Sequence, residues 1–575
     1  MTPTPDRRQQ SFGRGVSRRR LLQGAATAAA GGAASLALAC NSSRKPAGEA
    51  GTQPAAAGQG GQQAKRGGTL SYSGGFAGSY DTWGSGYDPM TVLQWGAKSY
   101  TLFYQRLLAY NLETYAIEPE IAQKWEQPSQ TEYVFHLQPG VKGHNKAPVN
   151  GRALTVDDVL YSLERARSDD PRFSSRSLLA LVDKIEAPDK ATVRITTKSP
   201  DAVTLAKLAD ENIAMLAKEA VEKDPKIASP DFVVGTGPFI MKSAEDKVGA
   251  EYVRNPDYWK SGLPYLDGFR TRHFGDFLSG WSAFVANQVH VALIPGQETK
   301  NYIATQGAGY TPQWVPDDTT GLIGGPNVKV KPMDDARVTR ALRLLLDHDE
   351  LIKSWADVQF GKGGYGSIFP TALSAWDLTD DEYRQHLEWK QPKDDAAKEA
   401  ISLLSAAGFT KDNPLKFEVV DNNVPQIVPG HQLVQAQWKK WSQGAVDAQI
   451  RLVDAGTSTS IRASGNFSYW YSGFSVGVPE PDIWLTSVYH SGASLNFTRY
   501  SDSQLDAMID KQRTIFDQTQ RKAAVKDIVL YMIDHGPGTM GANRYFLYAA
   551  KPQVQNRKTE YFLNGRQYES VWLSS

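Results

Sequence analysis

The chain has 575 residues, of which 41% are hydrophobic and 22% charged, and its formal net charge is +1. This composition is typical of a soluble folded protein and excludes both wholesale disorder and a membrane-embedded bundle. A chain of this length exceeds what one hydrophobic core usually organises, so we expect two or more lobes. Residues 1–39 carry six Arg and one Asp, which leaves a net charge of −4 for the remainder and argues against nucleic acid as a partner.

Residues 1–39 have the pattern of an export signal. The run SRRRLL at 17–22 matches a twin-arginine (Tat) signal, and the stretch behind it is rich in Ala and Gly and only weakly apolar. Such a stretch makes a poor transmembrane anchor, because alanine and glycine contribute little transfer free energy. We therefore predict a signal peptide at 1–39 and export by the Tat route to the cell surface or periplasm.

The single cysteine, Cys40, closes this apolar stretch, so no intramolecular disulfide can form. It is either the lipidated first residue of a mature lipoprotein or an incidental residue after a signal-peptidase cut behind Ala39. Residues 40–66 contain no large apolar side chain and have the composition of a flexible tether. A cysteine between a signal and a tether favours lipidation, and we predict a lipid anchor to the membrane at Cys40.

Alternation and helical spacing predict the elements of the folded part. Strands are expected at 68–72, 133–137, 192–196, 269–274, 415–420 and 449–453, and helices at 91–110, 156–167, 278–287, 335–346, 394–407, 433–443, 503–516 and 519–534. Thr155 is a good N-cap for the second helix, because the carboxylate of Asp158 suits its positive end. The strand–helix–strand succession at 415–453 is typical of a parallel or mixed sheet.

Residues 235–267 combine a tight turn, a strand and several aromatic side chains. Gly235 and Gly237 are expected to adopt backbone angles closed to other residues and Pro238 fixes the next angle, so the run GTGPF predicts a turn that starts a strand. The aromatics at 258–265 supply enough apolar surface to hold a second turn against a sheet. This segment is therefore interpreted as a structural corner without a catalytic group.

Five stretches occur in the order found in one known family. Residues 235–267 contain GTGPF, RNPDYW and GLPYLD, and the other four stretches lie at 119–125, 133–142, 154–165 and 335–347. From about residue 66 to residue 575 the chain resembles the family 5 extracytoplasmic solute-binding proteins. These are the peptide, nickel and oligosaccharide receptors of bacterial ABC importers.

The resemblance implies an α/β fold, namely the two-lobed periplasmic-binding-protein fold of type II, with mixed sheets flanked by helices and an inserted third subdomain. It places the first lobe at 67–100, 230–318 and 538–575, the inserted subdomain at 101–229 and the second lobe at 319–537. It further implies a monomeric receptor, not an enzyme, that needs no cofactor. Such a receptor captures a peptide-like solute, an oligosaccharide or another small molecule between its lobes and delivers it to the transmembrane subunits of an ABC permease.

Residues 467–485 are the most chemically suggestive stretch, because four aromatics precede a Gly-rich bend. The run from Gly473 to Gly477 fits G-x-S-x-G, the nucleophile elbow of serine hydrolases. Asp482, and then His490 or His535, follow later in the chain in the order of a catalytic triad. An elbow needs a helix directly after the serine, whereas two prolines follow here. A secreted serine hydrolase using Ser475 is the alternative function, and a chaperone-like binder of unfolded segments is a third.

Peptide-binding members of the family carry a Gly-Trp pair on this bend, followed by an Asp that holds the ammonium group of the ligand. The resemblance puts Phe474 at the aromatic position and Gly477 at the acidic one, so the acid is missing. A buried ammonium needs an anionic or multiply accepting partner. A free peptide amino terminus is therefore a less natural ligand, unless Glu480 or Asp482 takes over this role.

Flat aromatic side chains suit sugar faces as well as peptide side chains. The predicted ligand-binding residues are Trp83, Tyr87, Trp470, Phe474, Ser475, Gly477, Trp484 and Asn496. Core packing is the alternative for each single aromatic, and Asn496 matches a ligand-side position of the family. No metal site is predicted, because the nine histidines are scattered and HExxH is absent.

Overall fold

The computed structural model describes most of the chain from residue 63 onward. The described ranges are 63–74, 86–91, 100–111, 113–170, 172–294, 301, 311–316, 324–354, 363–365, 368–386, 393–423, 428–471, 480–493, 495–538, 542–558 and 565–574. The predicted signal peptide and Cys40 lie outside these ranges. Within them, no helix combines the length and the apolar character needed to cross a membrane.

Eight strands form the largest sheet, which is mixed. Seven of them follow the order Thr311–Pro316, Ala542–Ala550, Val291–Leu293, Thr69–Gly74, Gly268–His273, Gly249–Arg254 and Phe239–Glu245, and Gly363–Tyr365 pairs with the beginning of Ala542–Ala550. Thr69–Gly74 is parallel to both of its neighbours, and the other pairs are antiparallel. The beginning, the middle and the end of the described chain therefore meet in one sheet.

A second sheet is antiparallel and has four strands. Their order is Ala122–Ser129, Glu132–Leu137, Thr192–Thr197 and Val182–Asp189. The helix Val156–Ala166 packs against this sheet. Its N-terminus forms as the sequence predicts, because the carboxylate of Asp158 accepts a hydrogen bond from the backbone N–H of Thr155 at 2.9 Å.

A third sheet has the strand order Gly324–Pro326, Tyr469–Tyr471, Leu415–Asn422 and Val446–Val453. Leu415–Asn422 is parallel to Val446–Val453, in agreement with the strand–helix–strand pattern at 415–453. Tyr469–Tyr471, which was not predicted as a strand, is also parallel to Leu415–Asn422, and Gly324–Pro326 is antiparallel to its neighbour. Two-stranded pairs complete the strands of the described chain: Leu108–Tyr110 with Ile117–Pro119, and Val554–Gln555 with Trp572–Leu573.

The other helices surround these sheets. They are Thr204–Leu208, Lys218–Lys223, Phe277–Val285, Ala336–Leu344, His348–Ser354, Asp380–Gln385, Lys393–Ala406, Val428–Trp441, Ala455–Ser464, Pro481–Trp484, Ser503–Gln512 and Gln518–His535. Short 3-10 turns lie at Ser174–Ser177, Pro230–Phe232, Thr371–Trp376 and Gly565–Glu569, and a π turn at Leu485–Tyr489. The helices predicted after residue 150 are confirmed, with bounds that differ by a few residues.

The helix predicted at 91–110 is wrong over its C-terminal part, where Leu108–Tyr110 is a strand. The side chain of Asn111 explains the difference, because its Oδ1 accepts the backbone N–H groups of Glu113 at 3.0 Å and Thr114 at 2.9 Å. This turn folds the chain back into a hairpin. The helical spacing of the apolar residues is therefore overridden by a local polar turn.

The turn at Gly235 forms, but not for the predicted reason. Neither Gly235 nor Gly237 is among the glycines with positive φ. A Cβ at Gly235 would instead lie 1.9 Å from the carbonyl oxygen of Phe103, and one at Gly237 would lie 2.8 Å from that of Leu102. Both carbonyls accept hydrogen bonds from the turn at 3.0 Å, so the glycines are needed for close backbone approach.

His144 fixes the loop at 142–151 to this same turn. Its Nδ1 accepts the N–H of Gly235 at 3.3 Å, and its Nε2–H donates to the carbonyl of Gly237 at 3.1 Å. The ring is fully buried, and burial lowers the pKa of His144 to about 4. The two hydrogen bonds need the neutral ring, because a protonated Nδ1 cannot accept one.

The neutral state of His144 predicts a loss of stability at acidic pH. The folded-state pKa is lowered, so the unfolded chain binds the extra proton between pH 6.5 and about pH 4, and stability falls as the pH drops through this window. The full effect is roughly 3 kcal/mol. Urea unfolding of the wild type and of His144→Asn at pH 7.5 and pH 4.5 is expected to show a large stability difference at pH 7.5 that shrinks at pH 4.5. An equal difference at both values would contradict this role.

Candidate functional site

The third sheet contains a point at which the chain reverses its direction across the sheet. From Leu415–Asn422 the chain passes through the helix Val428–Trp441 to Val446–Val453, the neighbouring strand on one side. It then returns through the helix Ala455–Ser464 to Tyr469–Tyr471, the neighbouring strand on the other side of Leu415–Asn422. In open α/β sheets such a reversal leaves a crevice beyond the carboxyl ends of the two neighbouring strands. Tyr471 is the last residue of one of these strands, and the predicted bend follows it in the sequence.

The bend itself, at 472–479, lies outside the described residues, and so do Phe474, Ser475 and Gly477 on it. Trp83 is likewise outside the described ranges. The chain leaves the bend at Glu480, whose side chain caps the helix Pro481–Trp484 by accepting the backbone N–H of Asp482 at 2.9 Å. Pro481 is well placed at the start of this helix, so one of the two prolines that oppose an elbow helix after Ser475 supports this later helix.

Two of the predicted cleft aromatics are buried in a core cluster of the second half of the chain. The indole of Trp484 is 0% exposed, and its Nε1–H donates to the carbonyl of Ile368 at 2.6 Å. Trp470 is 2% exposed and packs edge-on against Phe497 with ring centroids 6.0 Å apart. Both placements correspond to the core-packing alternative, because neither ring presents a face to a solute in this conformation.

Tyr87 and Asn496 are also buried. The backbone N–H of Tyr87 donates to the carbonyl of Ile227 at 2.8 Å, and burial together with Asp246 raises the pKa of Tyr87 to about 12. The amide of Asn496 donates to the carbonyl of Tyr500 at 2.8 Å, so it holds the loop that follows His490. Trp470 and Trp484 belong to one core cluster and Tyr87 to another, so the structure does not bring Tyr87 together with the two tryptophans.

Glu480 and Asp482 belong to a network of buried charges, whose cations the sequence did not reveal. Glu480 forms an ion pair with Arg521, and both side chains are 7% exposed. The Nε–H of Arg521 also donates to Oε1 of Gln512 at 3.0 Å. No motif connects these residues, because they come from distant parts of the chain and meet only through the fold.

Asp482 is the most buried carboxylate of this network, with 0% exposure. Its Oδ1 accepts hydrogen bonds from Gln512 at 2.5 Å and from Arg513 at 3.2 Å. Burial alone would raise the pKa of Asp482, but the cations of Lys207, Arg513 and Arg521 hold it below its ordinary value. Glu480 and Asp482 are therefore both engaged by cations of the protein, so neither is placed to receive the ammonium group of a solute.

The same contacts bear on the hydrolase alternative. A triad needs a histidine between the acid and the serine. Asp482 contacts cations and an amide, whereas His490 lies 3.7 Å from both Asp506 and Asp510. The ring of His535 stacks on Tyr531 with centroids 4.3 Å apart. The contacts of Asp482, His490 and His535 in the described chain therefore give no support to a triad with Ser475.

Groups of His, Cys, Asp and Glu that could hold a metal ion are absent from the described ranges. A groove of about 460 Å3 is present beside Glu480 and Arg521. Its walls come from two separate parts of the chain, one at 110–117 and 202–206 and the other at 371–376 and 515–522. The groove marks a seam between these two parts.

Comparisons with known proteins agree with this architecture. Residues 116–496 match the family model "Bacterial extracellular solute-binding proteins, family 5 Middle". The chain is 23% identical to the dipeptide-binding protein of Escherichia coli over 79% of this chain and 85% of the relative. It is 27% identical to the glutathione-binding protein GsiB of Pectobacterium atrosepticum over 74% of this chain and 80% of the relative.

A solved structure shows the same fold. It is the periplasmic binding protein DppA of an ABC transporter from Helicobacter pylori in complex with the peptide STSA, with a TM-score of 0.74 and 21% identity over 89% of this chain and 99% of that chain. The two-lobed α/β fold expected from the sequence is thereby confirmed. The family model covers more than half of the chain. This protein belongs to family 5 of the bacterial extracellular solute-binding proteins.

Proposed function

We propose that this protein is an extracytoplasmic receptor that captures a peptide-like solute, an oligosaccharide or another small solute between its two lobes and delivers it to an ABC permease. The observation that carries the proposal is the chain reversal in the third sheet, the kind of position at which open α/β sheets bind their ligands. Contacts with both lobes would favour the closed state, and the permease could then distinguish a loaded receptor from an empty one. This mechanism includes no covalent chemistry.

We propose lobe boundaries at the positions expected from the family: 67–100, 230–318 and 538–575 for the first lobe, 101–229 for the inserted subdomain and 319–537 for the second lobe. The sheets support this division. The strands of the largest sheet come from the first set of ranges, apart from Gly363–Tyr365, and the antiparallel sheet and the third sheet each come from one of the others.

The solute end that meets the bend is proposed to lack a free ammonium group. Gly477 offers no carboxylate there, and the neighbouring Glu480 and Asp482 are engaged by Arg521 and Arg513. An unpaired buried ammonium would cost several kcal/mol, so a blocked or neutral end binds better.

A thermal-shift comparison tests this preference. One mixture of di- to pentapeptides with free amino termini is compared with the same mixture after N-acetylation. We expect the acetylated mixture to raise the melting temperature more, since a ligand stabilises the folded state in proportion to its affinity. A rise with the free peptides alone would contradict the preference and leave the receptor function standing.

Phe474 is proposed as the aromatic contact of the solute on the bend. Phe474→Ala is expected to weaken binding of the solute that copurifies with the protein by more than about tenfold, or about 1.4 kcal/mol. The melting temperature of the solute-free protein should stay nearly unchanged. Calorimetric titration and thermal unfolding check the two parts, and a large loss of solute-free stability would assign Phe474 to the core instead.

Export by the twin-arginine route, a lipid anchor at Cys40 and a monomeric state complete the proposal. The signal, the tether and the position of Cys40 between them support the anchor. Cys40→Ala is expected to move the protein from the membrane fraction to the soluble fraction. Unchanged membrane yield after this substitution would contradict the anchor.

A further inference from the structure

A buried lysine lies at the seam between two parts of the chain. Nζ of Lys207 is 2.9 Å from Oδ2 of Asp201 and 3.6 Å from Oδ2 of Asp482. The side chains of Lys207, Asp201 and Asp482 are 8%, 2% and 0% exposed. Lys207 and Asp201 belong to the proposed inserted subdomain, whereas Asp482 follows the bend of the proposed second lobe. One ammonium group is thus shared between carboxylates on opposite sides of the seam.

Each side of the seam has its own complete ion pair. Lys207 is paired with Asp201 on its own side, and Oδ1 of Asp482 is bound by Gln512 and Arg513 on the other side. Oδ2 of Asp482 accepts no hydrogen bond from any part of the chain that the structure describes. This oxygen is the one that lies 3.6 Å from Nζ of Lys207 across the seam.

The seam has a second polar contact and is incompletely packed. The backbone N–H of Ala202 donates to the carbonyl of Arg513 at 2.8 Å, which holds Lys207 and Asp482 in register. The groove of about 460 Å3 opens beside these contacts, between Ala202 on one side and Trp376 on the other. Part of the seam beside these contacts is therefore an open groove and not packed core.

Separation would leave every charge of this cluster with a partner. A buried ion pair is costly to break when one charge is left alone. Here Lys207 would remain paired with Asp201, and Asp482 would remain paired with Arg513. Opening would therefore break the contact between Lys207 and Asp482 without leaving a buried charge unpaired. The contact has the properties of a reversible latch.

We propose that Lys207 is a positioning residue that latches the closed state through Asp482 and so sets the solute affinity without contacting the solute. The inference rests on the proposed function, because it presupposes a receptor that opens and closes. Asp201 competes with Asp482 for the same ammonium group. Removal of Lys207 should therefore favour the open state, and removal of the charge of Asp201 should favour the closed state.

Distances between two spin labels measure this equilibrium directly. The labels are attached at Lys184→Cys, on an exposed position of Val182–Asp189, and at Lys440→Cys, on an exposed position of Val428–Trp441. Cys40→Ser in the full chain keeps the label sites unique. Distance distributions by pulsed electron paramagnetic resonance are recorded after the solute has been removed by unfolding and refolding.

Lys207→Met is expected to lower the ratio of closed to open protein at least fivefold, and Asp201→Asn to raise it by a similar factor. The matched control Lys218→Met removes an exposed lysine of the same proposed subdomain, paired within its own helix with Glu222, and should leave the ratio within twofold of the wild type. Changes of the closed-to-open ratio in opposite directions in Lys207→Met and Asp201→Asn are the signature of a latch. A merely structural role of the two residues would instead lower the stability of both variants.

A wild-type ratio in Lys207→Met would overturn the latch, as would a loss of closed protein in Asp201→Asn. If Lys207→Met fails to fold, Asp201→Asn decides alone, and an unchanged or lowered ratio overturns the proposal. These outcomes are distinct from a failure of the proposed function. A receptor that shows one single distance in every variant, with and without its copurified solute, would contradict opening and closing altogether.

Discussion

Gly235→Ala is expected to lower the free energy of unfolding by about 4 kcal/mol, and to leave little soluble protein at 37 °C. The new methyl group would lie 1.9 Å from the carbonyl oxygen of Phe103, a backbone atom that cannot move aside on its own. This carbonyl accepts the N–H of Gly237 at 3.0 Å, so a shift of the turn would also break hydrogen bonds. Urea unfolding followed by circular dichroism measures the loss.

Gly275→Ala is the matched control, because a Cβ at Gly275 would meet nothing within 4 Å. It is expected to unfold within about 0.5 kcal/mol of the wild type. If Gly235→Ala were as stable as this control, the close packing of the turn against residues 102–104 would be refuted.

Trp484→Ala is expected to cost about 3–5 kcal/mol of stability, the range found when a large aromatic is removed from a core. The ring is 0% exposed and its Nε1–H donates to the carbonyl of Ile368 at 2.6 Å. The substitution would leave a cavity and remove one of the two side-chain hydrogen bonds that this carbonyl accepts, the other coming from the hydroxyl of Tyr489 at 2.9 Å. Thermal and urea unfolding of the solute-free protein check this loss.

Trp484→Phe separates the two contributions, because it keeps most of the apolar volume and removes the hydrogen bond. It should cost roughly 0.5–1.5 kcal/mol for the lost hydrogen bond, less than Trp484→Ala, because the carbonyl of Ile368 keeps the hydrogen bond from Tyr489. A Trp484→Ala protein with wild-type stability and lost solute binding would instead place Trp484 at the solute, as the sequence first suggested.

Much of the fold can be predicted from the sequence, because the local sequence patterns agree with the tertiary arrangement over long stretches of the chain. The βαβ succession at 415–453 predicts parallel pairing, and Leu415–Asn422 is parallel to Val446–Val453. The prediction failed where a single polar side chain redirects the chain, as Asn111 does. The role of Gly235 was also misassigned, because a glycine in a turn signals either a positive φ or a close approach, and only the packing of Phe103 tells which.

The candidate site is less predictable from the sequence for a physical reason. An aromatic such as Trp484 gains as much free energy in a core as against a solute, so its type does not reveal its place. The ion pairs of Asp482 with Arg513 and Lys207 join residues far apart in the chain, and no spacing rule connects them. The segment at 472–479 stands out in the sequence, because Gly473, Gly477 and Pro479 interrupt every regular pattern.

Small-angle X-ray scattering of the solute-loaded and solute-free protein tests the receptor function most directly. The protein is measured as purified, after removal of its low-mass solute by unfolding and refolding, and again after the released solute fraction is returned. We expect the radius of gyration to increase when the solute is removed and to decrease to its first value when it is returned. An identical radius in all three samples, with binding of the solute verified by mass spectrometry, would contradict closure of two lobes around a solute.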